Sequence, residues 1–249
     1  MNVYPITADP GITWNLFSDA FSGFSGSEEA GPDIACVLNE VRHVFIETFG
    51  PNTVNAHPVL GVLPTNEDPQ TQRTNAIIFL SSTGLYYNQH IYQFAHELCH
   101  FMIPKEVCES YRWLEESLCE AMSWYAMDRI YRSRDDRYLP QLRKLYPNMP
   151  NYIKERQKER ISLDGVPLSA FIRTNLAYLQ KGPYNRPMNK AIAYELYPLF
   201  SEDPELWKII PVFHTLTDNM SLPDGLRHLS LSFGIEKYRC DQFMKRLLE

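Results

Sequence analysis

A chain of 249 residues, 44% hydrophobic and 22% charged, is long enough to bury a sizeable core as one large domain or as one domain with a helical extension. Its net charge of −6 at pH 7, with no Lys/Arg-rich stripe, argues against nucleic acid as a main partner and against an anionic membrane surface. Five cysteines without regular spacing fit reduced thiols better than a disulfide framework. Residues 1–20 lack the basic start, apolar core and cleavage site of an export signal, and no apolar run approaches ~18 residues, so a cytoplasmic protein without a membrane span is expected.

In chain order, residues 1–32 are punctuated by Gly, Ser and Pro and read as a loop or arm. Helical character begins at Asp33, with Ile34, Val37, Leu38, Val41, Phe45 and Phe49 on one face, and stops at Gly50-Pro51. Two short strands follow, over residues 59–63 and 76–81, separated by a turn-rich stretch over 64–69. A helix is predicted over 87–103, closed by Pro104, and a second over 113–131. From Arg132 onward the pattern stays helical, broken by Pro140, Pro147, Pro150 and Gly182-Pro183, with apolar residues at helical spacing over 191–200, 205–213 and 238–248. The mixed charges of residues 154–160 read as a solvated helix face.

The first long helix contains His96-Glu97-Leu98-Cys99-His100, an H-E-x-x-H pattern. Residues four apart share a helix face, so His96 and His100 can offer imidazole nitrogens to one Zn²⁺ while Glu97 reaches a water beside it. Ile91, Phe94, Ala95, Leu98 and Met102 supply an apolar face, and Gln93, His96, Glu97 and His100 gather on another. Catalytic zinc takes three protein ligands and leaves a position open. Glu116 on the next helix is the expected third. Glu120, one turn on, is then the carboxylate that accepts the free ring N–H of a ligating His. Cys99 and Cys119 lie on the same helices and read as small core hydrophobes.

The combination of H-E-x-x-H with Trp113-Leu-Glu-Glu116-Ser-Leu-Cys-Glu120 resembles the gluzincins, the zinc peptidases that include thermolysin and the zinc aminopeptidases. The resemblance covers about 35 residues. It implies His96, His100 and Glu116 as ligands of one zinc per chain, Glu97 as catalytic base and Glu120 as outer-shell acid. Ser117 and Cys119 stand where the family has Gly and Ala, and the gap of 15 residues between His100 and Glu116 is shorter than in many members, which keeps Glu120 open as an alternative ligand. Tyr178, shortly before Lys181-Gly182, is similar to the family's tyrosine donor to the tetrahedral intermediate; Tyr184 and His214 are its rivals. The implied fold is α+β, with a zincin-like core over residues 1–135 that includes the N-terminal arm, and a mostly helical portion over 136–249 packed on it. In this family the strand before the active-site helix is often a substrate-binding sheet edge, a role open to residues 75–82 beside that of an ordinary buried strand.

The expected activity is peptide-bond hydrolysis, acting on a peptide or protein substrate. A regulatory or toxin-like protease specific for one partner protein, and an inactive zincin-like binding module, are the competing expectations.

Overall fold

The computed structural model describes residues 3–9, 12–17, 27–51, 61–64, 68–82, 86–133, 147–232 and 237–249. They form a mostly helical α+β chain with a small mixed sheet. Two compact units are present: residues 1–101 with 123–154, and residues 102–122 with 155–249. Among the described residues no helix is long and apolar enough to cross a membrane.

In the first unit, strands β1 (Val3–Asp9), β2 (Ile12–Phe17), β3 (Gly61–Pro64), β4 (Gln70–Gln72) and β5 (Ile77–Leu80) stand in the order β1-β2-β3-β5-β4. β1 pairs antiparallel with β2, which runs parallel to β3, as β3 does to β5; β4 returns antiparallel to β5. Parallel neighbours need a crossover. Helix α1 (Ser27–Phe49) supplies the one between β2 and β3. Its buried Ile34, Leu38, Val41 and Phe45 make one stripe at helical spacing.

The N-terminal expectation needs correction. Residues 3–9 and 12–17 are strands, not an arm, and α1 begins six residues before Asp33, running through Pro32. β-branched and aromatic residues at Val3, Tyr4, Ile6, Thr7, Ile12, Thr13 and Trp14 favour a pleated surface. Pro10-Gly11 between them is a turn signal that outweighs the surrounding Gly/Ser punctuation. Near a helix start a proline forfeits little, because the first amides have no intrahelical acceptor. Pro140 lies outside the described residues, as does the start of the strand expected over 59–63.

Helix α2 (Tyr87–Phe101) packs on α1, β4 and β5. Its buried Ile91, Phe94, Ala95 and Leu98 are the apolar face expected from the sequence. Two anchors fix its N-terminal half. Tyr87 Oη donates to Asp33 Oδ2 at 3.1 Å, and burial with the Asp33 charge pushes the phenol up to about 12, so it stays a donor at neutral pH. Gln93 accepts from the Ser82 amide at 3.0 Å and donates to Ser81 Oγ at 2.7 Å, which ties the helix to the end of β5. β5 has neighbours on both sides, so among the described residues the sheet edges fall on β1 and β4 and not on residues 75–82.

A 3₁₀ turn, Glu109–Tyr111, leads into helix α3 (Arg112–Ser133). Almost every residue of 113–127 is buried, which marks a helix packed all round and not an amphipathic one. In its first half Trp113 Nε1 donates to the Ser110 carbonyl at 3.0 Å, and Ser117 Oγ to the Trp113 carbonyl at 2.7 Å.

The second unit continues with helices α4 (Met149–Lys158, whose first turns belong to the first unit), α5 (Leu168–Lys181), α6 (Arg186–Glu202), α7 (Leu222–Ser232) and α8 (Lys237–Leu248). A long 3₁₀ segment, Pro204–Thr215, packs on α6 and α7. Local sequence explains the boundaries: Asn185 caps α6 by accepting from the Met188 amide at 3.2 Å, and Gly182 closes α5 onto the Tyr178 carbonyl at 2.9 Å. Phe200 anchors the aromatic core, with Trp207 at 4.5 Å and Phe243 at 5.4 Å between ring centroids. Close packing also governs the loop before α7, where Tyr111 Oη lies 2.8 Å from the Ser221 carbonyl and 3.2 Å from that of Met220.

Candidate metal centre

Four residues of α2 carry the chemistry, and the helix buries most of it. Gln93, Glu97 and His100 are each at most 9% exposed, while His96 is half-buried. The polar face that the sequence pattern separates from the apolar one is therefore a second buried face. Burial of such groups demands partners, and the sheet supplies two. Thr71 Oγ1, on β4, lies 2.7 Å from the Glu97 carbonyl and 2.8 Å from Glu97 Oε2, donating to one at a time. Arg73, two residues on, donates from Nε to the His100 carbonyl at 3.0 Å. A cation at the last turn of a helix also opposes the negative end of its dipole.

The Nε2 atoms of His96 and His100 face each other at 3.2 Å, their rings inclined at 66° with centroids 4.9 Å apart. As a neutral pair one Nε2–H donates to the facing Nε2, the direction set by the tautomers; with both protons on Nδ1 the two Nε2 lone pairs converge and offer a seat to a cation. One ligand-type atom from each of His96, His100 and Glu116 lies within 4.8 Å of the others, and this group could hold a metal ion. For a tetrahedral zinc with Zn–N of about 2.0–2.1 Å, neighbouring ligand nitrogens stand roughly 3.3 Å apart. The imidazole pair already has that separation. The donor set, two nitrogens and one carboxylate, suits zinc.

Glu120 is not a member of that group. It is 6% exposed, and its Oε1 lies 3.9 Å from Nζ of Lys190, itself 6% exposed on α6. Lys190 also pairs with Glu159, at the end of the charged run over 154–160. That run is otherwise an exposed face with neighbouring pairs, Lys158 to Glu155 at 2.6 Å and Arg156 to Glu159 at 2.9 Å. Cys99 and Cys119 are fully buried and stand outside the group as well.

The three expected oxyanion donors have separate settings. Tyr178 is 57% exposed on α5, its Oη accepting from Asn185 Nδ2 at 3.2 Å. Tyr184 is 62% exposed, its Oη accepting from Arg112 Nη1 at 3.1 Å; Arg112 opens α3, one turn before Glu116. His214 is half-buried and engages the Pro211 carbonyl through Nδ1 at 2.8 Å. Thr71, Arg73 and Lys190 escape a reading of the sequence. Thr71 and Arg73 follow a turn-rich stretch with no strand signal of their own, and Lys190 stands in a helix with no motif around it.

No protein family, no curated protein and no solved structure matches this chain.

Proposed function

We propose that the chain is a zinc-dependent peptidase with a zincin-like core, built around His96, His100 and Glu116. The observation that carries this reading is the gathering of the three ligand-type residues within 4.8 Å, with Glu97 buried next to His96 on α2. Zinc bound there would supply Lewis acidity toward a scissile carbonyl and the water that attacks it.

The residues divide the remaining work. His96 and His100 must both be neutral to present Nε2 lone pairs, so acid competes with metal. Glu97 takes the proton of the attacking water and hands it to the leaving amine, a task for a carboxylate held in a dry, fixed position. Tyr178, with Tyr184 and His214 as rivals, donates to the developing oxyanion. Extended substrate aligns along the β4 edge, and Glu120, held by Lys190, orients a ligand from outside the coordination sphere.

Zinc titration and hydrolysis of a mixed peptide library, with and without chelator, test the proposal. The wild type should bind about one zinc per chain. Glu97→Gln should retain it yet lose at least ~10²-fold in rate. Glu116→Ala should strip the metal, whereas Glu120→Ala should weaken it ~10–100-fold. A chain that takes up no zinc, or a Glu97→Gln variant with full activity, would sink the reading.

A further inference from the structure

We infer that Thr71 is the positioning residue of Glu97, an assignment that rests on the proposed role of Glu97 as base. A glutamate has three side-chain torsions, and burial alone does not choose among their combinations. The Thr71 hydroxyl touches the same residue at two places, 2.7 Å from its main-chain carbonyl and 2.8 Å from Oε2. The single hydroxyl proton serves these two acceptors in turn, which keeps the carboxylate beside the carbonyl of its own residue and brackets the side chain to its own helix.

The bracket is rigid at its other end. β-Branching leaves Thr71 few torsional choices, and its strand pairs with Ile78 of β5, a fully buried residue. Arg73, beyond the end of β4, binds the His100 carbonyl one turn further along α2. The strand and the turn after it thus grip the helix at two successive turns. Among the described residues, Thr71 is the hydrogen-bond partner of the Glu97 carboxylate. A base misplaced by about an ångström can cost on the order of 10²-fold in rate, so a group that fixes it acts on turnover more than on binding.

The experiment compares Thr71→Val, which keeps the shape and removes the hydroxyl, with Thr71→Ser, which keeps the hydroxyl. Two readouts are taken. In zinc-loaded protein, kcat on a peptide chosen from the library should fall about ten- to a hundredfold in the Val variant, the loss of one hydrogen bond to a charged group. KM and zinc stoichiometry should hold, and Ser should restore kcat to within about threefold. In metal-free protein at fixed pH, the carboxyl carbon resonance of Glu97, assigned by its disappearance in Glu97→Gln, should shift and broaden in the Val variant and return in the Ser variant.

An unmoved Glu97 resonance in the Val variant overturns the assignment whether or not the protein is a peptidase. So does an unchanged kcat in a folded Val variant of an active enzyme. A wild type without zinc-dependent hydrolysis, whose Glu97 resonance nonetheless responds to Thr71→Val, refutes the peptidase reading and leaves the structural bracket standing; the assignment of a catalytic positioning role then falls with that reading.

Discussion

Helices α2 and α3 both bury carboxylates, and they stabilise them by different means. On α2, Glu97 is met by one neutral hydroxyl from a strand. On α3, Glu120 lies beside a buried ammonium, which itself pairs with a second carboxylate. A hydroxyl positions a carboxylate without neutralising it, whereas a buried ammonium offsets the cost of its desolvation.

That contrast is tested most severely at Lys190. Lys190→Met removes the ammonium beside a buried carboxylate and should destabilise the fold by about 3–5 kcal/mol in urea denaturation. Adding Glu120→Gln to that variant should recover part of the loss. A cost below ~1 kcal/mol would mean that Glu120 does not depend on its partner, and the comparison would fail. Gly225→Ala asks whether the entry to α3 is set by packing. The new Cβ would lie 2.1 Å from Tyr111 Oη, and forcing that ring aside should cost about 1–3 kcal/mol.

Thr71→Val, the α2 counterpart of the lysine change, should cost about 1.5–3 kcal/mol, one hydrogen bond to a charged group. A loss equal to that of Lys190→Met would erase the distinction between the two helices. At the low end, Lys158→Ala removes an exposed pair with Glu155 and should change stability by no more than ~0.5 kcal/mol. Thermal denaturation should barely register it.

The helices were legible because their signals are local. Pro104 ends the pattern of α2, Gly182 ends that of α5, and the 3.6-residue stripe of α1 reads directly from Ile34 to Phe45. α3 was legible from its helical periodicity over 113–131, although burial on almost every side from 113 to 127 was not. The short strands near the N-terminus were hidden by a proline and glycines that serve turns as well as loops. β4 was invisible because three residues cannot show an alternation.

At the site, the sequence pointed to His96, Glu97, His100 and Glu116 through residue type and spacing, and the fold brings the three ligand-type residues together. It could not reveal what holds them. Thr71 reaches Glu97 across 26 positions and Lys190 reaches Glu159 across 31. Such pairings are made by the tertiary fold, and no window of local sequence contains both partners.

The brevity of β4 has a consequence for the protein's behaviour in crowded solution. An uncovered sheet edge is a template for another chain, and long flat edges seed aggregation. Three residues, Gln70–Gln72, expose too few main-chain donors and acceptors to recruit a neighbour, and all three side chains are polar, so the edge resists edge-to-edge polymerisation. On the proposed reading, a peptide aligned along β4 would gain little from main-chain pairing, and discrimination among sequences would fall to its side chains.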